Sequence, residues 1–157
     1  QMVQALGNAL ENVYWWFWSG MPSDWVRTGR HEKLPLSCAQ LNQLRDVCTS
    51  NLGLTIEGAI QDLSYDEWDG ITSQIYAAVE TEGQSQRLST FNSNYGFHRG
   101  LVVALLLLAV AGFVDGRFWI GFAGLGAAIL TLYRMHRFAR HYARELFVQA
   151  IQLPEGG

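Results

Sequence analysis

Two apolar runs separated by three residues constrain this chain more than any other feature. The first is LVVALLLLAVAGFV, residues 101–114, and the second is FWIGFAGLGAAILTLY, residues 118–133. Neither run contains a charged side chain, and neither shows the polar face of an amphipathic surface helix. Each is shorter than the ~20 residues of a typical membrane span. Helix can extend past both runs, however, and from Tyr95 to Asp115 it would measure ~31 Å. The sequence therefore predicts two transmembrane helices.

The break between the runs, Asp115-Gly116-Arg117, predicts a tight helical hairpin. Gly116 can take the positive φ that ends the first helix. Seven of the eleven basic residues follow residue 86, and six of these flank the runs on the sides away from the turn or lie beyond them. Under the positive-inside rule, both flanks lie in the cytoplasm and the turn lies outside. We expect a multi-pass protein of a bacterial inner membrane.

The predicted fold is all-α, a two-helix transmembrane hairpin with a small cytoplasmic helical lobe and amphipathic flanking helices. The pattern divides the chain into four parts. They are an interfacial helix with an aromatic belt (1–20), a small polar lobe (21–94), the hairpin (95–133) and a basic amphipathic juxtamembrane helix with its tail (134–157). Because the chain opens at Gln1 inside a helical pattern, residues 1–20 could also be the end of an upstream span.

A run of five aromatic residues, YWWFW, ends the first of these segments. A soluble core rarely takes five adjacent rings, because they point to all sides of a helix. A base-stacking platform would need interleaved positive charge, and the nearest is at Arg27. Headgroup-level rings fit better, since they bury an apolar body and keep a polar tip in water. The predicted membrane-interface residues are Tyr14, Trp15, Trp16, Phe17, Trp18, Tyr95, His98, Arg99, Trp119 and Tyr133.

Small residues line the second apolar run. The small-xxx-small spacing lets helix backbones approach closely in lipid. Two interpretations remain open, packing against the first span and a contact between copies of the chain. The residues concerned are Gly121, Ala123, Gly124, Ala127 and Ala128.

A basic amphipathic helix follows the second run, over residues 134–151. Its apolar side chains recur at helical spacing, and its basic residues fall mostly on the other side. Anionic lipid, the acidic lobe of the same chain or a nucleic acid could each hold it, and the absence of another basic patch disfavours the last. The predicted lipid or partner contacts are Arg134, Arg137, Arg140, His141 and Arg144.

Two capping boxes predict helices in the polar lobe. Ser37 with Gln40 starts one that reaches about Ser50, and Ser64 with Glu67 starts another that stops near Gly83. Residues 92–94, Asn-Ser-Asn, offer capping oxygens for the helix of the first span. Cys38 and Cys48 lack metal-ligand spacing, and we expect two reduced thiols in a reducing compartment.

Catalytic signatures are absent from the sequence: it has no GxSxG, no HExxH and no P-loop. We therefore expect neither an enzyme nor a bound cofactor or metal. The pattern favours a structural or accessory subunit that anchors or scaffolds a larger membrane assembly. Its partners would be the bilayer and other membrane subunits or further copies, not nucleic acid. One alternative is an oligomerising, channel-type or membrane-disrupting effector gated by the lobe, and another is a membrane enzyme with active residues outside this chain.

Overall fold

All of the secondary structure is helical in the part of the chain described by the computed structural model, residues 2–30, 33, 36–54, 56, 58–81 and 86–153. The helices are α1 Met2–Phe17, α2 Asp24–Arg27, α3 Cys38–Ser50, α4 Tyr65–Thr81, α5 Gln86–Val114 and α6 Phe118–Ile151, with a 3-10 turn at Ile60–Asp62. The all-helical prediction is confirmed for these residues.

Local side-chain chemistry starts α3 and α4 where the sequence predicts. The Ser37 hydroxyl accepts from the Gln40 amide (3.2 Å), and the Gln40 side chain accepts from the Ser37 amide (2.9 Å). Ser64 and Glu67 form the same reciprocal pair. Hydrogen bonds from the hydroxyl and the amide of Ser64 lower the pKa of Glu67. Both capping boxes are confirmed, while the predicted stop near Gly83 lies outside the described residues.

Helix α5 begins earlier than the sequence predicts. It starts at Gln86, so residues 92–94 lie inside the helix and do not cap it. The capping prediction is therefore wrong. Asn and Ser have modest helix propensity, but burial of Leu88 before this stretch and Tyr95 after it favours continuous helix.

Within the described ranges, two helices are long and apolar enough to cross a membrane, α5 and α6. They are joined at Asp115–Arg117, where Gly116 has a φ of 70°. This left-handed conformation is the one predicted for the turn. The amide of Arg117 bonds back to the Gly112 carbonyl (2.8 Å), which closes the end of α5.

The chain forms two compact units. Unit 1 contains Gln1–Ser19 and Asn92–Ala139, and unit 2 contains Gly20–Phe91 and Arg140–Gly157. Helices α5 and α6 each contribute residues to both units.

Unit 2 has a conventional apolar core. Trp25, Leu44 and Ile75 are fully buried. The end of α6 joins this core, because Phe147 is also buried and its ring lies 5.9 Å from that of Trp68. The apolar face of residues 140–151 therefore packs on the lobe of the same chain. This packing is one of the three interpretations of the basic helix.

In unit 1, glycines bring α5 and α6 into close contact. A Cβ added to Gly112 would come within 2.7 Å of the Gly121 backbone nitrogen. A Cβ on Gly121 would meet the Phe113 ring, and one on Gly124 would lie 3.1 Å from the Ala109 nitrogen. The small residues therefore serve contact within the chain at these positions.

Candidate functional site

One face of α1 carries the side chains that join it to the rest of unit 1. Glu11, Tyr14, Trp15 and Trp18 follow the i, i+3, i+4, i+7 spacing that places residues on one side of a helix. Across from them lie Tyr95 and Arg99 of α5 and His136 of α6. We call these seven residues the α1 contact cluster.

The charged half of the cluster is a nearly buried network. The indole N–H of Trp15 donates to the Tyr95 hydroxyl (2.9 Å), and that hydroxyl donates to a carboxylate oxygen of Glu11 (2.7 Å). Arg99 donates to the second carboxylate oxygen and forms an ion pair with Glu11. The exposed fractions of these two side chains are only 23% and 16%. Each carboxylate oxygen therefore has a donor, as burial of a charged group requires.

The side chain of Arg99 lies beside Gly7. A Cβ added to Gly7 would lie 3.5 Å from both Cγ and Nε of Arg99, which is an ordinary van der Waals distance. The arginine stem thus packs on the α1 backbone one turn before Glu11.

The aromatic half of the cluster surrounds His136. The Trp15 ring stacks on the imidazole at 5.5 Å between centroids, and the Trp18 ring lies at 4.7 Å. The Tyr14 hydroxyl lies 3.1 Å from Nδ1 of His136. Three of the five adjacent rings are therefore engaged with one histidine of α6.

The predicted interface residues fall into two structural groups. Trp16, Phe17, Trp18, Trp119 and Tyr133 are exposed, which suits contact with headgroups, and Trp18, at 42% exposed, also contacts the His136 ring. Trp15, Tyr95 and His98 are buried, Arg99 is paired with Glu11, and Tyr14 is half-buried. His98 donates from Nδ1 to the Asn94 carbonyl (2.7 Å). Headgroup contact stays a prediction for the first group, and the second group contacts protein.

The basic residues of α6 are mostly accessible. Arg134, Arg137, His141 and Arg144 are exposed, whereas Arg140 is half-buried and donates to the Lys33 carbonyl. Their contact with lipid or partner stays a prediction.

The small residues of α6 divide by face. Gly121, Gly124 and Ala128 are buried, Ala127 is half-buried, and Ala123 is exposed. The first two of these pack on α5, as one of the two sequence interpretations proposed.

Sequence reasoning singled out neither Glu11 nor His136, and it assigned Tyr14 to the membrane interface. A usable signal was present. Glu11 is the only acid before Asp24, and it stands one helical turn before Trp15. A single acidic side chain next to aromatic residues that face a membrane bundle usually pairs with a basic side chain. The sequence does not identify Arg99 as that partner.

The α1 contact cluster has the chemistry of a contact between helices. Each oxygen of its carboxylate accepts from one donor, and its histidine contacts three aromatic rings. Among the described residues, no three His, Cys, Asp or Glu side chains come close enough to hold a metal ion. Comparison with protein-family models, with curated proteins and with solved structures finds no match to this chain. The functional argument therefore rests on the geometry of unit 1.

Proposed function

We propose that the chain is a membrane-integral structural or accessory subunit, in which α5 and α6 form a transmembrane hairpin. The exposed apolar surface of unit 1 carries this proposal. Only 28% of the most apolar window of each helix is buried. Val114, Trp119 and Leu130 are each at least 70% exposed.

Water is a poor solvent for such a surface. Soluble monomers rarely expose contiguous apolar patches larger than a few hundred Å². A core helix of a soluble protein would be mostly covered, and these two helices are mostly open. Hydrocarbon covers such faces at no cost, since lipid tails are as apolar as leucine.

The contacts between α5 and α6 support a hairpin. Gly112 lies against Gly121, and Ala109 lies against Gly124, so positions before the turn meet positions after it in reverse order. This order is that of two antiparallel helices. Both basic flanks would then lie on the same side of the membrane, which the positive-inside rule assigns to the cytoplasm.

The half-buried ion pair of Glu11 and Arg99 also fits membrane integration of unit 1. Ionisable side chains within membrane-spanning segments usually pair with one another inside the bundle. No charged side chain occurs between Arg99 and Asp115 or between Arg117 and Arg134, so the remaining surface of both helices suits lipid.

The contribution of α6 to both units supports an anchoring role. This element is one 34-residue helix whose first half is apolar and whose last residues belong to the core of unit 2. Helix α6 therefore contributes residues to both the apolar hairpin and the lobe. Gly121 and Gly124 of α6 pack on Phe113 and Ala109 of α5, so these two glycines are used in a contact within the chain.

Alkaline extraction tests membrane integration. Membranes that contain the chain are washed in sodium carbonate, and we expect the protein to stay in the pellet. Two charged substitutions at exposed, lipid-facing positions, Leu108→Lys with Leu130→Lys, should release it, because each costs about 2.5–3.5 kcal/mol near the bilayer centre. The matched control is Arg45→Glu with Gln61→Lys in the lobe, which should leave retention unchanged. Recovery of the unmodified chain in the supernatant would refute integration.

Purification from native membranes tests the accessory role. We expect the chain to co-purify with other membrane proteins at fixed stoichiometry in a mild detergent. An isolated monomer under the same conditions would refute the accessory role while leaving membrane integration intact.

A further inference from the structure

The packing of α1 on α5 is incomplete along one flank. A cavity of ≈ 370 Å³ lies between the two helices, and aliphatic side chains line it. Leu6, Leu10 and Val13 contribute from α1, and Val103, Leu107 and Val110 contribute from α5. This cavity is open to the surroundings, since Val13 and Val110 are 61% and 59% exposed. The apolar contact between α1 and α5 is therefore partial along this flank.

The α1 residues of the α1 contact cluster lie on a different side of the helix from this cavity. Glu11 binds Arg99 and Tyr95, and Trp15 binds Tyr95. A hydrogen bond to a charged group is stronger than a neutral one, and its loss leaves a buried charge without its partner. The polar contacts between α1 and α5 therefore converge on the Glu11 carboxylate and the Tyr95 hydroxyl.

The helical backbone is interrupted directly after α1. Ser19 and Gly20 both have positive φ, 62° and 103°. The amides of Trp18 and Ser19 bond back to the carbonyls of Trp15 and Trp16, which closes the helix. Two successive left-handed residues break the helical chain, and the first of them is not glycine.

We propose that α1 is a strap that opens as one unit, and that Glu11 is its latch. In the closed state, the strap covers Tyr95, Arg99 and one face of the His136 ring. Opening uncovers these groups and so changes the polar surface that α5 and α6 present to another membrane protein. The proposal goes beyond the anchoring role: opening of the strap depends on the contacts within unit 1, and the membrane-protein partner rests on the proposed function.

Hydrogen–deuterium exchange of the full chain in lipid nanodiscs tests the strap. Exchange is followed separately in peptides from α1, from α4 and from residues 118–139. In the unmodified chain, we expect α1 amides to exchange together and faster than those of residues 118–139. In Glu11→Gln, α1 exchange should rise by about tenfold or more, with α4 unchanged, because Arg99 loses a charged acceptor.

Three further variants distinguish opening of α1 from a general destabilisation of unit 1. Tyr95→Phe removes one hydroxyl and leaves the ion pair, so it should accelerate α1 exchange by less than Glu11→Gln does. The charge exchange Glu11→Arg with Arg99→Glu should return α1 exchange towards that of the unmodified chain. Glu145→Gln, which removes the carboxylate paired with Arg87 in unit 2, should leave α1 exchange as it was.

Two results would overturn the strap. One is unchanged α1 exchange in both Glu11→Gln and Tyr95→Phe. The other is an equal rise in α1 and in residues 118–139 in both variants, which would mean that the network supports all of unit 1 and latches nothing. Neither result bears on carbonate extraction, so the strap and membrane integration fail separately.

Discussion

Neighbouring rings in the run 14–18 have different surroundings because a helix turns by about 100° at each residue. Trp15 is 4% exposed and bonded to Tyr95, while Trp16 and Phe17 are 77% and 78% exposed. One sequence feature therefore serves both an internal contact and an outer surface.

Because neighbouring rings differ in burial, substitutions at adjacent positions should differ in their effect on stability. Trp15→Ser should lower the free energy of unfolding by about 3–5 kcal/mol, because it removes a large buried side chain and leaves Tyr95 without its donor. Trp16→Ser with Phe17→Ser should change it by less than about 0.5 kcal/mol but weaken binding of the chain to vesicles. Denaturation in micelles and vesicle co-flotation measure the two quantities. Equal stability loss in both variants would contradict this difference in burial.

The two cysteines should also differ in reactivity. Burial raises the pKa of Cys48 to about 11, and Cys38 is exposed. Since the thiolate is the reactive form, iodoacetamide at neutral pH should modify Cys38 and leave Cys48 unmodified until denaturant is added. Mass spectrometry of timed samples checks this order. Modification of Cys48 at the rate of Cys38 in the folded protein would show that Cys48 is not buried.

At the scale of elements, helix starts set by adjacent residues could be predicted, and helix starts set by distant packing could not. The capping boxes at Ser37 and Ser64 need only a four-residue pattern, and both form. The start of α5 depends on burial of Leu88 and Tyr95 by other elements, which the sequence pattern does not reveal. The Glu11–Arg99 pair was missed for the same reason, since 88 positions separate its members.

The capping box of α3 predicts a modest local effect. Ser37→Ala removes the acceptor for the Gln40 amide, so stability should fall by about 0.5–2 kcal/mol. Ser50→Ala, at the far end of the same helix, is the matched control and should cost less. Chemical denaturation of the two variants compares them. An equal loss would mean that the reciprocal bonds at Ser37 add little.

The glycines of unit 1 predict a contrast between two alanine substitutions. Gly112→Ala should destabilise the contact of α5 with α6, because its Cβ would come within 2.7 Å of a backbone nitrogen. Gly126→Ala meets open space and should be neutral or stabilising by up to about 1 kcal/mol, since alanine has the higher helix propensity. Thermal unfolding followed by circular dichroism in micelles measures both. A Gly112→Ala protein as stable as Gly126→Ala would contradict the close contact.

At the scale of the whole molecule, charge and apolarity are separated along the chain. Eleven of the fourteen acids precede residue 87, and the uncharged apolar stretches all follow Arg99. This separation accounts for a polar lobe and an apolar pair of helices in one chain of 157 residues. It does not identify a partner, because partner choice depends on surface detail that composition does not encode.

Sidedness tests the transmembrane hairpin most directly. Two single-cysteine proteins are reconstituted in one orientation in sealed vesicles and treated with a membrane-impermeant maleimide. One keeps Cys38 and carries Cys48→Ala. The other carries Cys38→Ser, Cys48→Ala and Asp115→Cys, which places its thiol in the turn. The hairpin predicts that Cys38 and the turn thiol react from opposite sides of the membrane. Reaction of both from the same side, before the vesicles are opened, would contradict it.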